Sequence, residues 1–344
     1  MAIMKMAFWV VMLSFFLTSL PVEAREIVDM SGRKVAVPDR IQKVYSTSPP
    51  ATYMLYALDP SLLGGLNTPL KETEKRYLAP EIHSLPVLGG YFGQGQVANT
   101  EMILKAKPDV VIMWASHESA LNRKMEADMR MLGIPLVLMR IDRVEDYGRG
   151  LRFLGTLLNR EERAEKLARY GEEAVNKADA IVKSIPAANR PSVYYAEGID
   201  GLFTECDTSP HAELINLTGA KNVHRCQTKT GYGMEKVSME QVILYNPDVI
   251  IVQEKEALRR INADKRWLHV KAVKQGKVFI VPKIPFNWFD RPPSYMRYLG
   301  IQWLMKSLYP GDYRVDLVAQ TRSFYRLFFR MELSDEQIRE ILAG

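Results

Sequence analysis

Cysteine and histidine, the side chains that most often bind a metal ion directly, are scarce in this 344-residue sequence. Neither an H-E-x-x-H nor a C-x-x-C motif is present, and both are motifs whose spacing brings metal ligands together. The histidines lie at no regular close spacing: His83, His117, His211, His224 and His269. We therefore expect no metal ion that the side chains hold by themselves. A ligand role stays open for His117, which adjoins Glu118, or for another of these histidines.

Catalytic and nucleic-acid-binding signatures are also missing. The sequence has no G-x-S-x-G nucleophile elbow and no phosphate-binding P-loop. We therefore expect a protein that is not an enzyme and needs no cofactor, with an exported hydrolase as a distant alternative. The net charge is +6, but the basic residues are scattered, which argues against a nucleic-acid partner. A mildly basic protein of this kind can bind anionic small molecules.

The first 24 residues have the pattern of a cleavable signal peptide. Lys5 precedes an uncharged apolar stretch from Met6 to Leu20, and Pro21 to Ala24 then supplies a cleavage site with small residues. The apolar stretch is short for a membrane span, and an uncleaved anchor is the alternative. No cysteine lies near the cut. We therefore expect a mature chain that carries no lipid anchor and is free in a bacterial periplasm.

The two cysteines, Cys206 and Cys226, are expected to form a disulfide, because export leads to an oxidising compartment. Closing a loop of about 20 residues in this way stabilises a fold by roughly 3 kcal/mol. The alternative is a pair of buried thiols.

Proline is absent between Arg160 and Ile185, and glycine occurs there once, at Gly171. The apolar residues of this stretch recur in steps of three and four, the pattern of one apolar stripe on an α-helix. At about 1.5 Å per residue the helix would be about 40 Å long, and it would stop before Pro186. We interpret it as a rigid strut between two lobes. A long surface helix of a single domain is the alternative.

Strand and helix signals alternate on both sides of this strut. The unbroken apolar run from Val110 to Trp114 is typical of a parallel strand that is covered on both faces. The predicted fold class is α/β, with two α/β lobes that have mostly parallel central sheets and are joined by one long backbone helix. The predicted divisions are a signal peptide over residues 1–24, an N-terminal lobe over 25–157, the bridging helix over 158–186 and a C-terminal lobe over 187–344.

Two segments repeat each other across the strut. Glu101 stands seven residues before a Pro-Asp-Val-Val-Ile sequence, and Glu240 stands seven residues before Pro-Asp-Val-Ile-Ile. Each glutamate follows a capping residue, Asn99 or Ser238, in the first turn of a predicted helix, where a negative charge is favourable. Either the two carboxylates only stabilise helix ends, or the two lobes present equivalent glutamates to the basic sockets of a two-fold partner.

Taken together, these features resemble the periplasmic binding proteins that supply ABC importers of iron-siderophores, haem and vitamin B12, in the type with a helical backbone between the lobes. The resemblance covers essentially the whole mature chain and rests on residues 40–46, 99–112, 160–185, 237–242 and 287–294. In that family one glutamate per lobe pairs with arginines of the permease, and Glu101 and Glu240 match those positions. The vitamin B12-binding member has a Trp-Phe-Glu-Arg stretch where this chain has Trp288-Phe-Asp-Arg291.

The resemblance implies a monomeric solute-binding protein with a cleft between its lobes and limited hinge motion. It would capture an iron(III)-siderophore or similar metal chelate and deliver it to the permease dimer of an ABC importer in the inner membrane. A corrinoid, haem or a nickel chelate is the alternative cargo on the same fold.

Candidate ligand-binding residues follow the predicted strand ends or lie in loops that can reach the cleft, since ligands of open α/β sheets bind beyond the carboxyl ends of the strands. They are Asn67, Tyr91, Gln94, Trp114, His117, Arg140, Glu197, Arg225, Tyr232, Trp288 and Arg291. Aromatic rings would cover the apolar parts of a chelate, and arginines would pair with its carboxylate or catecholate oxygens. For each residue, core packing or surface solvation is the alternative.

Overall fold

The computed structural model describes residues 24–91, 97–114, 120–228 and 233–344, except for the side chains of residues 120 and 121. Apart from Ala24, the predicted signal peptide lies outside these residues. Within the described ranges, no helix is both long enough and apolar enough to cross a membrane. The fold is mixed α/β with parallel sheets in two lobes, as the sequence predicts.

The N-terminal lobe begins with an antiparallel hairpin and continues with a parallel sheet. Its elements are β1 (Ala24–Val28), β2 (Lys34–Pro38), β3 (Val44–Ser46), α1 (Pro49–Leu58), α2 (Glu72–Lys75), α3 (Thr100–Ala106), β4 (Val110–Trp114), α4 (Ala120–Met131), β5 (Leu136–Met139) and α5 (Asp146–Leu158), with 3₁₀ turns at Pro60–Leu62 and Pro80–Ile82. Strands β3, β4 and β5 are parallel and adjacent in that order. The first four residues of β4 are buried, as expected for an apolar strand that is covered on both faces.

The long helix predicted from the sequence is α6 (Glu161–Ser184). Its 24 residues span about 36 Å, and its buried face consists of Ala164, Leu167, Ala168, Gly171, Ala174 and Ala178. Small residues on this face let helices pack closely. A Cβ atom built at Gly171 would overlap the ring of Tyr298, so this glycine makes room for the tyrosine. At the edge of this face, Arg152 of α5 contacts Glu165 at 2.7 Å and Glu172 at 2.5 Å.

The C-terminal part of the chain contains a second parallel sheet. Its elements are β6 (Ser192–Ala196), β7 (Phe203–Thr204), α7 (Glu213–Leu217), β8 (Lys221–Asn222), β9 (Glu235–Lys236), α8 (Met239–Tyr245), β10 (Val249–Val252), α9 (Lys255–Ala263), α10 (Lys271–Lys274), β11 (Val278–Ile280), α11 (Arg297–Leu308), α12 (Leu317–Phe329) and α13 (Asp335–Leu342), with 3₁₀ turns at Ala187–Asn189, Pro210–Ala212 and Lys265–His269. The parallel sheet has the strand order β11-β10-β6-β8, and β7 pairs with β9 antiparallel.

The repeat seen in the sequence is a repeat of structure. Helices α3 and α8 each lead into a central strand through Pro-Asp. In the N-terminal lobe the carboxylate of Asp109 accepts hydrogen bonds from the backbone of Gln42 and Lys43, at 2.7 and 2.8 Å. In the C-terminal lobe the carboxylate of Asp248 accepts one from the backbone of Ser192 at 2.8 Å. Each aspartate therefore fixes the start of the neighbouring strand in the same way.

The last helices return to the N-terminal lobe. Arg330, which follows α12, donates hydrogen bonds to the carbonyl oxygens of Tyr56, Ala57 and Leu58 at the end of α1, at 3.2, 3.2 and 2.6 Å. Helix ends leave such carbonyl groups without intrahelical partners, and a cation there is favourable. The predicted boundaries of the lobes stay a prediction, but α12, which they count with the C-terminal lobe, packs against α1.

The predicted disulfide between Cys206 and Cys226 is present. It joins the segment after β7 to the segment after β8, and it excludes the alternative of two buried thiols in this structure.

Candidate ligand-binding cleft

Buried polar side chains collect beyond the carboxyl ends of the parallel strands in both lobes, where open α/β sheets bind ligands. On the N-terminal side they are Ser46, Thr47, Ser48, Thr52 and Asn67, and on the C-terminal side they are Glu197, Glu205, Gln253, Asp290 and Arg297, with the half-buried Arg291 among them. The first group is neutral and the second is mostly charged. The two faces of the candidate cleft therefore differ in chemistry.

Asn67 holds the N-terminal face in shape. Its amide nitrogen donates hydrogen bonds to the carbonyl oxygens of Ser46 and Gly89 at 2.8 and 2.9 Å. Its amide oxygen accepts one from the hydroxyl of Thr52 at 2.6 Å. Both amide hydrogens are thus used within the protein. Asn67 was predicted to bind ligand, but this geometry supports a positioning role for it.

Two hydroxyl groups next to this network, those of Thr47 and Ser48, could bind a ligand. The side-chain oxygens of Thr47 and Ser48 are buried and have no hydrogen-bond partner among the described residues. Buried polar atoms are nearly always paired, so these two are natural sites for a ligand or a water molecule. Tyr91 lies beside them, because its backbone N–H donates to the carbonyl of Thr47 at 2.8 Å. Burial, together with the nearby Asp128, raises the pKa of the Tyr91 hydroxyl to about 12.

Trp114 is the last residue of β4 and is half-buried. Its ring meets the edge of Tyr147 with centroids 5.9 Å apart, and Tyr147 meets Tyr298 at the same distance. Tyr298 in turn lies against the long helix α6. Trp114 therefore keeps a partly exposed face at the strand end while its other side is anchored to the strut.

The charged face is organised around Arg291. Its guanidinium contacts the carboxylate of Glu197 at 2.6 Å and that of Asp290 at 3.7 Å, and it is hydrogen-bonded to Glu205. Glu197 and Glu205 are fully buried, whereas 26% of the Arg291 side chain remains exposed. Arg291 also has a φ of 53°, a left-handed conformation that costs energy for a residue with a side chain. Its contacts hold it there.

The protonation of this cluster is unusual. Burial raises the pKa of Glu197 to about 8; Arg291 opposes that shift and Glu205 adds to it. Burial alone would lower the pKa of Arg291, but Glu197, Asp290 and Glu205 together raise it. One oxygen each of Glu197 and Asp290 is buried with no hydrogen-bond partner in the described part of the chain. A ligand that donates hydrogen bonds would find acceptors here.

Two further residues tie this face to its surroundings. His211 and the carboxylate of Asp290 are 2.6 Å apart. Buried Arg297 donates to Glu213 at 2.8 Å, and Glu213 accepts a hydrogen bond from the backbone of Val144 at 3.0 Å. Because Val144 precedes α5, this chain of contacts joins the C-terminal face to the N-terminal lobe.

Several predicted ligand-binding residues lie elsewhere. Trp288 has none of its surface exposed, and its indole N–H donates to the carbonyl of Ile284 at 3.2 Å. It is a core residue in this structure and offers a ligand no contact surface. Arg140 is exposed and pairs with Asp142 at 2.8 Å, and Arg225 is exposed. The remaining three lie outside the described residues: Gln94, His117 and Tyr232.

The sequence brought Glu197 and Arg291 into the candidate set separately, and the structure places them in contact. Glu205, Asp290 and His211 belong to the same cluster but were not predicted as ligand-binding residues. Asp290 could have been found, because it adjoins Arg291 in the stretch that carries the family resemblance. Glu205 could not, because it follows β7, a strand of only two residues that gives no clear signal in the sequence.

Glu101 and Glu240 are both exposed, each in the first turn of its helix. The caps are formed as predicted: Asn99 accepts from the backbone of Met102 at 3.0 Å, and Ser238 accepts from that of Gln241 at 3.2 Å. Both carboxylates therefore face solvent from equivalent positions in the two lobes.

Comparison with known proteins identifies the family. A family model described as "Periplasmic binding protein" matches residues 46–285. This chain belongs to the periplasmic binding proteins. The molybdate-binding protein MolA of Haemophilus influenzae is 26% identical to it over 334 residues, which cover 89% of this chain and 91% of MolA. A vitamin B12-binding protein of Pectobacterium atrosepticum is 27% identical over 255 residues, covering 73% of this chain and 82% of that protein.

The solved structures agree on the fold of this periplasmic binding protein. An ABC transporter solute binding protein from Sulfurospirillum deleyianum superposes with a TM-score of 0.86 at 39% identity, covering 93% of this chain and 99% of that one. The named relatives are transport-associated binding proteins and not enzymes, so at the level of the family this is a binding protein of an ABC transporter.

Proposed function

We propose that this protein captures a metal-containing solute in the cleft and passes it to the permease of an ABC importer, and that a ferric siderophore of neutral or positive charge is the first ligand to test. The relatives named above bind molybdate or vitamin B12, and both of these solutes contain a metal. A corrinoid, haem or a nickel chelate remains the alternative cargo.

The charge of the C-terminal face is the basis on which we choose the ligand class. The buried side chains of Glu197, Glu205 and Asp290 all contact the guanidinium of Arg291, and even with Glu197 protonated at neutral pH the carboxylates of Glu205 and Asp290 outnumber it. Coulomb repulsion at such short range disfavours a strongly anionic ligand, since the low-dielectric surroundings screen it poorly. We therefore favour a chelate of the neutral hydroxamate type, and we no longer expect Arg291 to pair mainly with catecholate oxygens of the ligand.

Molybdate is a second candidate with an observation in its favour. The hydroxyl groups of Thr47 and Ser48 are buried without partners among the described residues, and they can donate hydrogen bonds to an oxyanion. MolA also aligns over most of this chain. For molybdate to bind, the positive charge of the exposed part of Arg291 must outweigh the negative charge of the surrounding carboxylates.

A titration of the mature chain with a panel of ligands tests the proposal. The panel contains ferric hydroxamate and catecholate siderophores, haem, cobalamin, nickel-histidine and molybdate. Calorimetry and tryptophan fluorescence measure the affinity for each ligand. We expect the ferric hydroxamate to bind more tightly than the catecholate. Binding of every panel member weaker than about 100 µM, or about −5.5 kcal/mol, would reject the proposal.

The pH dependence of binding separates the two candidates. Because Glu197 has a pKa of about 8, the cluster takes up a proton as pH falls from about 9 to 6.5 and becomes less negative. Molybdate would therefore bind more tightly at the lower pH, whereas a cationic chelate would bind more weakly. A neutral chelate would change least. Glu197→Gln should remove most of this pH dependence in each case.

We propose that Glu101 and Glu240 dock the protein on its permease. Each glutamate shares its helix with an exposed leucine one turn further on: Leu104 is 51% exposed and Leu244 is 77% exposed. Residues three or four positions apart lie on one face of a helix. Both lobes thus present a carboxylate beside an apolar side chain, which a two-fold symmetric permease could contact with equivalent surfaces.

Transport assays with variants test this docking role. The double variant Glu101→Ala/Glu240→Ala should lower uptake while the affinity for the ligand stays unchanged. Glu173→Ala, which removes an exposed glutamate from the long helix, is the matched control and should transport normally. Normal uptake by the double variant would contradict docking, and so would a loss of ligand affinity with normal uptake.

We further propose that the chain is exported, cleaved after Ala24 and released as a monomer into the periplasm without a lipid anchor. The expected mature N-terminus is Arg25. Mass spectrometry of the periplasmic fraction and size-exclusion chromatography measure both points. A protein that retains residues 1–24 and sediments with membranes would overturn this proposal.

A further inference from the structure

Four potential metal ligands from three parts of the C-terminal lobe meet around the disulfide. They are Cys206, His224, Cys226 and Glu235, whose ligand atoms all lie within 4.8 Å of one another. The imidazole Nε2 of His224 is 3.2 Å from a carboxylate oxygen of Glu235, and the Sγ atom of Cys226 is 3.7 Å from the same oxygen. None of the four takes part in the cluster around Arg291.

Two of these separations, from the carboxylate oxygen of Glu235 to His224 and to Cys226, are close to those of ligands on one tetrahedral ion. With zinc bonds of about 2.05 Å to nitrogen, 2.1 Å to oxygen and 2.3 Å to sulfur, tetrahedral geometry places nitrogen and oxygen about 3.4 Å apart and sulfur and oxygen about 3.6 Å apart. His224, Cys226 and Glu235 already stand close to these spacings. Formation of the disulfide removes both thiolates, so the oxidised protein lacks the ligands that bind a soft or borderline ion most strongly.

The surroundings hold the imidazole of His224 in place. Its Nδ1 is 2.8 Å from the hydroxyl of Tyr245, and its backbone N–H donates to the side chain of Asn222 at 3.0 Å. The hydroxyl oxygen of Tyr245 can accept a hydrogen bond from Nδ1–H, which leaves the lone pair of Nε2 free for a metal. Such outer partners fix the tautomer and the orientation of metal-binding histidines.

The sulfur-bearing segments are joined by their backbones as well. The backbone N–H of Cys226 donates to the carboxylate of Asp207 at 3.1 Å, and the backbone N–H of Asp207 donates to the carbonyl of His224 at 2.9 Å. These two hydrogen bonds do not depend on the disulfide. They would keep Cys206, which precedes Asp207, near Cys226 after reduction.

We propose that reduction of the disulfide turns these four residues into a binding site for one zinc-class divalent ion. A dithiol reductant supplies two electrons and two protons, its own sulfurs form a disulfide, and Cys206 and Cys226 become thiols. Binding of the ion then releases the two thiol protons, and the ion is bound by two sulfurs, Nε2 of His224 and a carboxylate oxygen of Glu235. The disulfide and the bound ion exclude each other, because both use the same sulfurs.

Cobalt(II) and zinc(II) titrations of the mature chain test this site. One sample is reduced with dithiothreitol and desalted without oxygen, and the other is left oxidised. We expect the reduced protein to bind one ion about 100-fold more tightly than the oxidised protein, with the thiolate-to-cobalt absorption and the visible bands of tetrahedral cobalt. Bound zinc should also slow the return of the disulfide in air, measured by thiol titration.

Variants distinguish binding at the four-residue site from binding by the two released thiols alone. In the reduced state Glu235→Gln and His224→Gln should each weaken binding at least about tenfold, or 1.4 kcal/mol. His269→Gln, which changes an exposed histidine outside the cluster, should leave the affinity unchanged. Equal affinity in the reduced and oxidised proteins would overturn the proposal. So would full affinity in both cluster variants, since a chain that merely binds through two released thiols is insensitive to Glu235.

Discussion

The two lobes have the same framework, but the polar groups at their strand ends are neutral in one lobe and mostly charged in the other. In both, a short helix, a Pro-Asp turn and a central parallel strand follow one another, and the aspartate bonds the backbone of the neighbouring strand. Beyond β3 and β4, however, the polar groups are neutral and centre on Asn67. Beyond β6, the charged cluster of Arg291, Glu197 and Glu205 takes their place.

This difference shows that the framework and the binding chemistry are set by different residues. The aspartates, the caps and the buried apolar strands determine how each lobe folds. The loops after the strands determine what each lobe can bind, as in other open α/β sheets. A solute held between the faces would have to suit hydroxyl groups on one side and a carboxylate-rich cluster on the other. The following predictions test this contrast.

The largest effect is expected from Arg291→Ala. It would leave Glu197, Glu205 and Asp290 without their shared counter-charge, and removing one partner of a buried ion pair costs about 3 kcal/mol or more. Chemical denaturation at pH 7 measures the loss, and the affinity for the ligand should fall with it. Adding Glu205→Gln to this variant should recover part of the stability, because it removes one uncompensated carboxylate.

The matched control for this prediction is Arg266→Ala, which breaks an exposed pair with Asp264. It should leave the denaturation midpoint unchanged, because surface ion pairs contribute little. If Arg291→Ala were as stable as this control, the cluster would not hold the C-terminal face together.

A smaller loss is expected on the neutral face from Asn67→Ala. The carbonyl groups of Ser46 and Gly89 would lose a donor and the hydroxyl of Thr52 would lose an acceptor, at a cost of about 2 kcal/mol. Thermal denaturation measures it, with the exposed Asn176→Ala on α6 as a control that should not destabilise. An equal stability of the two variants would contradict the positioning role of Asn67.

A change in the strut should affect both lobes at once. Alanine normally stabilises a helix relative to glycine by up to about 1 kcal/mol, but Gly171→Ala would force its Cβ atom into the ring of Tyr298. Overpacking of this kind costs about 1 to 3 kcal/mol, so we expect a net loss of about 1 kcal/mol. Calorimetry measures it, and Tyr298→Leu in the same chain should reduce the loss. A stabilised Gly171→Ala variant would show that the ring moves aside freely.

The parts of the fold that were predicted from the sequence are those that local patterns determine. The stripe of small and apolar residues predicts α6, and two cysteines in an exported chain predict their disulfide. Helix α12 has no counterpart among the predicted elements, although Phe324, Phe328 and Phe329 bury one of its faces. Aromatic residues have only modest helix propensity, and packing against α1, α11 and the long helix α6 stabilises this helix.

The site was predicted less completely for a related reason. The stretch from Trp288 to Arg291 was predicted to lie near the cleft, but a sequence does not show which of its side chains point inward. Trp288 is buried because Gly300 of α11 lets its backbone approach closely, and Arg291 meets partners 94 and 86 residues away. Contacts over such separations follow from the assembled sheet and not from any local spacing.

The prediction that separates the two faces most cleanly is a pH dependence of stability. Because Glu197 keeps its proton up to about pH 8 in the folded chain and loses it near pH 4.5 when unfolded, its proton contributes stability that is lost as pH rises through about 8. Urea denaturation gives the free energy of unfolding of the wild type minus that of Glu197→Gln, and this difference should fall between about pH 5 and pH 8. The same difference taken against Asn67→Ala should stay constant, since the groups around Asn67 do not titrate in this range. A flat difference for both variants would mean that Glu197 is already ionised beside Arg291 at neutral pH, and the cluster would then be more negative than the choice of a neutral or cationic ligand assumes.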